Sequence, residues 1–394
     1  MSKKADDLWL KAAVVGGLWA SLEIIVGSFL HNTRLPFAGS MLAFAGTILL
    51  IGFYQVWPTR GLIIRAGLIT AIMKSVSPSA IILGPMMGIM LEAILLELMI
   101  MLFGNNRFGL IIAGIASVSS ALFYKLFSLL IFFGFDLIKV YVNIVNFALK
   151  QFGIPEAEPV EILLALLCVY AIFGIIAGTM GYYIGNKAIQ YQKNSYEFKI
   201  EKKPQKEEAY FEFKKGQQTS FLMLLIHIIS VPAGLYLINM EGTNAGFVFA
   251  AFYILAIGFI YRHALRRLRK PFFWLQLLFI ILLSSIFWDI GNDDSQWFNM
   301  EGFWVGVEMV FRAIFIIVAF SAISVELRND KVRNFIFNVG IGKFYESVGM
   351  AFSALPMMIS FLPSSKEIVR HPLQSLLKPL VMADEWLDVL KKEN

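Results

Sequence analysis

Cysteine, histidine and charge are all scarce in this chain. Cys168 is the single cysteine among 394 residues, which excludes an intramolecular disulfide and any multi-cysteine metal site. Four scattered histidines argue against a histidine-rich metal site, so no metal is expected. There is no Gly-rich phosphate loop, no H-E-x-x-H and no nucleophile elbow, so the chain shows no means of hydrolysing nucleotide and is not expected to be an enzyme. Charged residues make up only 16%, well below the quarter usual in soluble domains, while 58% are hydrophobic and the mean hydropathy is +0.69. That balance belongs to an all-α polytopic integral membrane protein. A net charge of +6 fits loops rich in Lys and Arg, and without an aromatic-interleaved basic module it points away from nucleic acid.

Apolar runs of about 20 residues are the unit that crosses a ~30 Å hydrocarbon core. Six lie near 9–30, 36–57, 61–75, 80–104, 108–135 and 160–185, forming a first membrane domain over 1–185. The first run follows "MSKK" without a small-residue cleavage site and reads as a retained helix. Between the fifth and sixth runs, "DLIKVYVNIVNFALKQ" reads as an amphipathic helix on the membrane surface. A polar, lysine-rich stretch over 186–218 is a charged linker. Four further runs follow near 220–239, 243–261, 271–290 and 302–325, within a second domain over 219–394.

Ten spans with the N-terminus inside place the linker lysines, "RHALRRLRK" and "ELRNDKVR" on one side, as the positive-inside rule requires. Both termini are then cytoplasmic in a cell membrane. The last seventy or so residues alternate apolar stripes with charges and are broken by Pro356, Pro363, Pro372 and Pro379. Proline removes an N–H and crowds the preceding turn, so this tail reads as short amphipathic helices joined at angles.

Two staggered rows of small residues mark the first run: Ala12, Gly16, Ala20 and Ala13, Gly17, Ser21. Small side chains four apart let membrane helices approach closely, either within one bundle or against the second domain. A similar row, Ala113, Ser117 and Ala121, lies in the fifth run. Polar residues gather towards the outer end of the first domain: Glu23, His31, Asn32, Arg34 and Lys74 are candidates to surround a water-soluble ligand. Snorkelling of Arg34 and Lys74 to the interface is the plainer alternative. Glu92 and Glu97 lie within one apolar run, five positions apart and on different faces. A carboxylate there costs roughly 2.5–3.5 kcal/mol unless it has a partner. Glu92 either lines the bottom of a ligand pocket or pairs with Lys125, and Arg65 is in reach of Glu97. Glu308 and Arg312, four apart on one helix face, are placed to pair with each other.

"GFWVGVEMVFRAIFIIVAFSAIS" and "FYESVGMAFSALPMMISFLP" resemble segments of the transmembrane T component of energy-coupling-factor transporters, over about 219–394. By that resemblance Arg312 matches the arginine of a glycine-spaced helix. Phe361 and Pro363 match the end of the following coupling helix, with Ser360 where arginine is usual. Short Ala-Arg-Gly signatures, which dock T components to their ATPases, are absent, and "SKEIVRHP" offers only Arg370. The first domain is similar to an S component in its helix count, in "FLHNTRLPFAGSML" and in its small-residue rows, which in S components contact the T component.

The resemblance implies a membrane subunit of an ATP-dependent importer. The first domain would capture a small, vitamin-like molecule, and the second would couple it to separate cytosolic ABC-type ATPases, which handle the ATP. Ala12, Gly16, Ala20, Arg312, Phe361, Pro363 and Arg370 would serve coupling; no cofactor is held by the chain itself. An ion-gradient-driven transporter using Glu23 and Glu92 is the main alternative, and a membrane enzyme acting on lipid-linked substrates a weaker one. The linker's Lys, Glu and Gln content favours a solvated tether. Co-expressing residues 1–190 and 216–394 as separate chains is expected to yield a complex that co-purifies in mild detergent; halves that never associate would contradict a two-module chain.

Overall fold

The computed structural model describes residues 3–32, 37–76, 83–193, 221–240, 244–262, 265, 268, 271–288, 298–326, 347–351, 354–355, 358 and 372–393. All regular structure among them is helical. Seven helices fill the first half: α1 (Lys3–Asn32), α2 (Ala38–Val56), α3 (Leu62–Val76), α4 (Leu83–Phe103), α5 (Arg107–Phe133), α6 (Asp136–Gln151) and α7 (Pro159–Lys193). Six of these close into a ring in the order α1, α3, α4, α5, α7, α2, with α6 outside it. Glycine lets the ring close tightly. A Cβ on Gly114 of α5 would stand 2.6 Å from the Gly174 carbonyl oxygen of α7, and one on Gly181 would stand 2.8 Å from Ile51 Cβ of α2.

The second half holds α8 (Phe221–Ile238), α9 (Ala245–Ile260), α10 (Pro271–Phe287) and α11 (Met300–Glu326), with α11 touching the other three. Among the described residues five helices are long and apolar enough to cross a membrane: Ala38–Val56, Gly84–Phe103, Arg107–Phe133, Pro159–Gln192 and Met300–Ile323. This corrects the expected ten. The stretches Leu222–Ile238, Ala245–Ile260 and Pro271–Phe287 are apolar but short, about 24–26 Å at 1.5 Å per residue. α3 has 15 residues, and α1 carries Asp7, Lys11 and Glu23 along its length. Exposed Leu164, Ile172, Phe173 and Ile176 on α7, and Leu255 and Phe259 on α9, give the molecule the apolar outside that lipid requires.

Among the described residues the halves meet at three places. α6 lies against the end of α10, where Asn143 Nδ2 donates to the carbonyls of Phe287 at 2.7 Å and Trp288 at 3.1 Å, and Lys139 stands 3.7 Å over the Trp288 ring. The amphipathic helix expected over these residues is therefore present, but its inner face meets protein. Phe132, in the last turn of α5, packs edge-on against Phe320, late in α11, with ring centroids 6.0 Å apart. Beyond that contact α5 runs back for about 37 Å while α11 has less than about 10 Å left, so the first bundle is offset or inclined relative to the second.

The C-terminal residues form the third contact. Val348, Ala351, Ala354, Leu355 and Met358 join the core of the first bundle, as do residues of α12 (Pro372–Val381) and α13 (Ala383–Glu393). In α13 the apolar stripe of Trp386, Leu387 and Leu390 is buried while Asp384 and Asp388 face out. Trp57 Nε1 donates to Asp384 at 3.1 Å, Gln192 Nε2 to the carbonyls of Leu380 and Val381, and Lys391 lies 3.4 Å from Asp7. Lys11, bonded to Asp7 at 2.7 Å, and Lys391 hold the Asp7 carboxyl below its usual value.

Leu380 fills the space over Gly52, where a Cβ would collide with its Cδ2. Gly52→Leu is expected to lift α12 and speed hydrogen exchange across 377–391 while the ring stays folded. Asp7 should contribute at neutral pH and lose its contribution as the pH falls below about 4 through its depressed folded value. Unchanged exchange in Gly52→Leu would contradict this seating of the tail.

Candidate functional site

The ring encloses a buried polar cluster with members from all five of its first helices. Glu23 of α1 and Lys74 of α3 form an ion pair at 3.5 Å, and Lys74 Nζ also donates to the Glu23 carbonyl at 2.8 Å. Gly27, one turn further along α1, leaves the room this needs: a Cβ there would lie 3.3 Å from Lys74 Nζ. Glu92 of α4 accepts from Thr47 Oγ1 of α2 at 3.4 Å, and that hydroxyl is 2.7 Å from Ser117 Oγ of α5. Trp19 of α1 is fully buried beside them, and its Nε1 has no hydrogen-bond partner among the described residues. Gly46 of α2 faces both groups.

Of the residues expected around a ligand, Glu23, Lys74 and Glu92 are brought together, each no more than 9% exposed. Lys74 does not snorkel. The side chains of His31 and Asn32, at the end of α1, lie outside the described residues, as does Arg34. Lys125 is not the partner of Glu92; it is exposed and stands 5.1 Å over the Phe37 ring. Nor does Arg65 pair with Glu97. The Glu97 carboxylate takes the backbone N–H of Gly61 and of Ile64, the latter at 2.8 Å, at the start of α3. A carboxylate on the open N–H groups of a helix N-terminus is stabilised by hydrogen bonds and dipole together. Arg65 instead donates to the Gly61 carbonyl at 3.0 Å and stacks 5.2 Å from the Trp9 ring.

The two small-residue rows of α1 serve different neighbours. Gly16 meets α3, where a Cβ would stand 2.8 Å from the Ala66 carbonyl oxygen and 2.9 Å from Ile69 Cβ. Ala12 and Ala20 are fully buried in the same bundle core. Gly17 faces the C-terminal segment: a Cβ there would lie 2.7 Å from Met358 Sδ and 3.7 Å from Ala351 Cβ. Gly17 of the other row therefore touches the C-terminal segment, while Gly16 touches α3. Phe361, Pro363 and Arg370 lie outside the described residues.

Arg312 and Glu308 form no ion pair. Arg312 Nη2 donates to Asn239 Oδ1 at the end of α8, and its guanidinium fills the space beside Gly134, which has φ +77 and where a Cβ would collide with it. Gly134 is therefore needed for its backbone and for its lack of a side chain. A second buried chain runs through α8, α9 and α11: His227 Nδ1 to Tyr253 at 2.8 Å, His227 Nε2 to Tyr261 at 3.3 Å, and Tyr261 donating to Glu326. Among the described residues no three His, Cys, Asp or Glu are grouped to hold a metal.

Sequence reasoning overlooked Trp19, Gly46 and Thr47. The available signal was their register, since residue 19 lies four before Glu23 on one helix face. No protein-family model, no curated protein and no solved structure matches the chain.

Lys74→Met would leave the Glu23 carboxylate buried without its cation and is expected to destabilise by about 3–5 kcal/mol. The double change with Glu23→Leu should recover most of that loss in nanodisc melts. Additive losses would show that the two groups do not act as a pair.

Proposed function

We propose that this chain is the membrane subunit of an energy-coupling-factor-type importer, with the α1–α7 ring as its capture module and α8–α13 as its coupling module. One observation carries the reading: α1 presents Gly17 to the C-terminal segment and Trp19 and Glu23 to the buried polar cluster. A push on that segment therefore reaches the cluster through one rigid helix. The offset between the bundles supports the same reading. If both sit in one bilayer, the ring must tilt relative to α8–α11, and tilting is the motion that would deliver a captured molecule to the other side. ATP hydrolysis would come from separate cytosolic ABC-type ATPases, the cargo would be a small vitamin-like molecule, and both termini would face the cytoplasm of a cell membrane. No cofactor is assigned to the chain.

Ion-coupled transport is the second reading, favoured by Glu92, a buried carboxylate without a cationic partner among the described residues. The two readings separate experimentally. The tagged chain, purified from its own host in mild detergent, is expected to bring an ABC-type ATPase pair in fixed stoichiometry, with ATP-driven uptake after reconstitution. Uptake by the chain alone under an imposed ion gradient, with no ATPase bound, would contradict the importer and establish the alternative.

A further inference from the structure

A cavity of about 840 Å³ lies between the two halves, walled by α4 and α5 on one side and by α10 and α11 on the other. It continues an interface already described, because Phe132 and Phe320, whose edge-on contact joins α5 to α11, both form part of its wall. Leu277, Ala313 and Ile317 line its depth, each no more than 5% exposed, while Met87, Phe127 and Phe279 line its rim, each more than half exposed. Three of the four helices, α4, α5 and α11, are long and apolar enough to cross a membrane. Its apolar mouth therefore opens on hydrocarbon and not on water.

The lining limits what can fill this space. No charged side chain is among the described residues that form it, and only Tyr124, Ser128 and Gln276 are polar. A charged molecule would find no counter-ion there. A buried water needs two to four polar partners, which three side chains cannot supply to so large a volume. Left empty, the cavity would forfeit the dispersion contacts of every side chain around it. Length narrows the choice further. The lining runs from Tyr124 to Phe133 on α5, about 14 Å at 1.5 Å per residue, and from Phe273 to Ile280 on α10, about 11 Å. A ~30 Å hydrocarbon core gives each leaflet about 15 Å, so the cavity has the length of one leaflet's acyl chain.

We propose that this cavity is a lipid site, in which an acyl chain of a membrane phospholipid enters from the bilayer and completes the packing between the two halves. The headgroup stays outside the apolar wall. This site does not depend on the importer reading.

The test reconstitutes the full chain in phosphatidylcholine vesicles doped with a phosphatidylcholine that carries a diazirine midway along one acyl chain. After irradiation the labelled residues are mapped by mass spectrometry. Leu164 and Ile172, on the exposed face of α7, meet bulk lipid and serve as the reference. Leu277 and Ile317 are expected to be labelled at least as strongly, although both are buried. Ser128→Phe and Ala313→Leu fill the cavity from opposite halves. Each is expected to abolish the label at Leu277 and Ile317 and to leave that at Leu164 and Ile172 unchanged, and either carries the test if the other fails to fold. No label at Leu277 and Ile317, or label that persists in the filled variants, would overturn the proposal. Organic extraction of the chain purified from its own host is expected to release phospholipid; a stoichiometric apolar molecule of another kind in its place would make this a cargo site and overturn it as well.

Discussion

The close approach of backbones around α1 is the constraint from which the rest of this structure follows. Two consecutive glycines turn to different neighbours: Gly16 lets α3 in against one side, and Gly17 admits Met358 and Ala351 on another. Membrane helices gain little from hydrophobic association with each other, so contact distance and shape decide which helices stay together. α1 is therefore held on both sides, and the polar residues it carries, Trp19 and Glu23, are fixed by the same contacts.

Burial of charge is the second constraint, and the three glutamates of the first bundle meet it in three ways. Glu97 uses the open N–H groups at the start of α3, Glu23 uses a lysine, and Glu92, among the described residues, has only a shared hydroxyl. The first two solutions are complete and hold α3 against its neighbours at both ends. The third is incomplete, and it lies where Gly46 lets the α2 backbone come against Trp19 and Glu92.

Much of the helix layout was legible in the sequence. The run at 61–75 became Leu62–Val76, the amphipathic stretch after the fifth run α6 over Asp136–Gln151, and the striped tail α12 and α13. Apolar runs and proline breaks report local structure directly. Partners were harder to read. Glu97 looked for a side chain and found backbone N–H groups, which no sequence pattern displays. Lys125 had the right charge for Glu92, yet its side chain leaves the bundle towards Phe37. Two interleaved rows on α1 are equivalent by spacing, and only the packing decides that Gly17 meets the C-terminal segment while Gly16 meets α3. Among the described residues the span count fell short because α3 and α8 to α10 are shorter than the hydrocarbon core is thick and α1 carries Asp7, Lys11 and Glu23.

The central claim, that α1 joins the C-terminal segment to the polar cluster, rests on how close Gly17 lies to Ala351. A Cβ on Gly17 would be 3.7 Å from that of Ala351, within the ~3.5–4.5 Å range for a disulfide. The decisive measurement is oxidative cross-linking of cysteines at these two positions in native membranes, with Cys168→Ser to remove the native thiol and Met358→Ala to clear the space. Rapid, near-complete cross-linking, absent when the first cysteine is moved to Gly16, is the predicted result. No cross-link at Gly17, or an equal one from Gly16, would contradict the account.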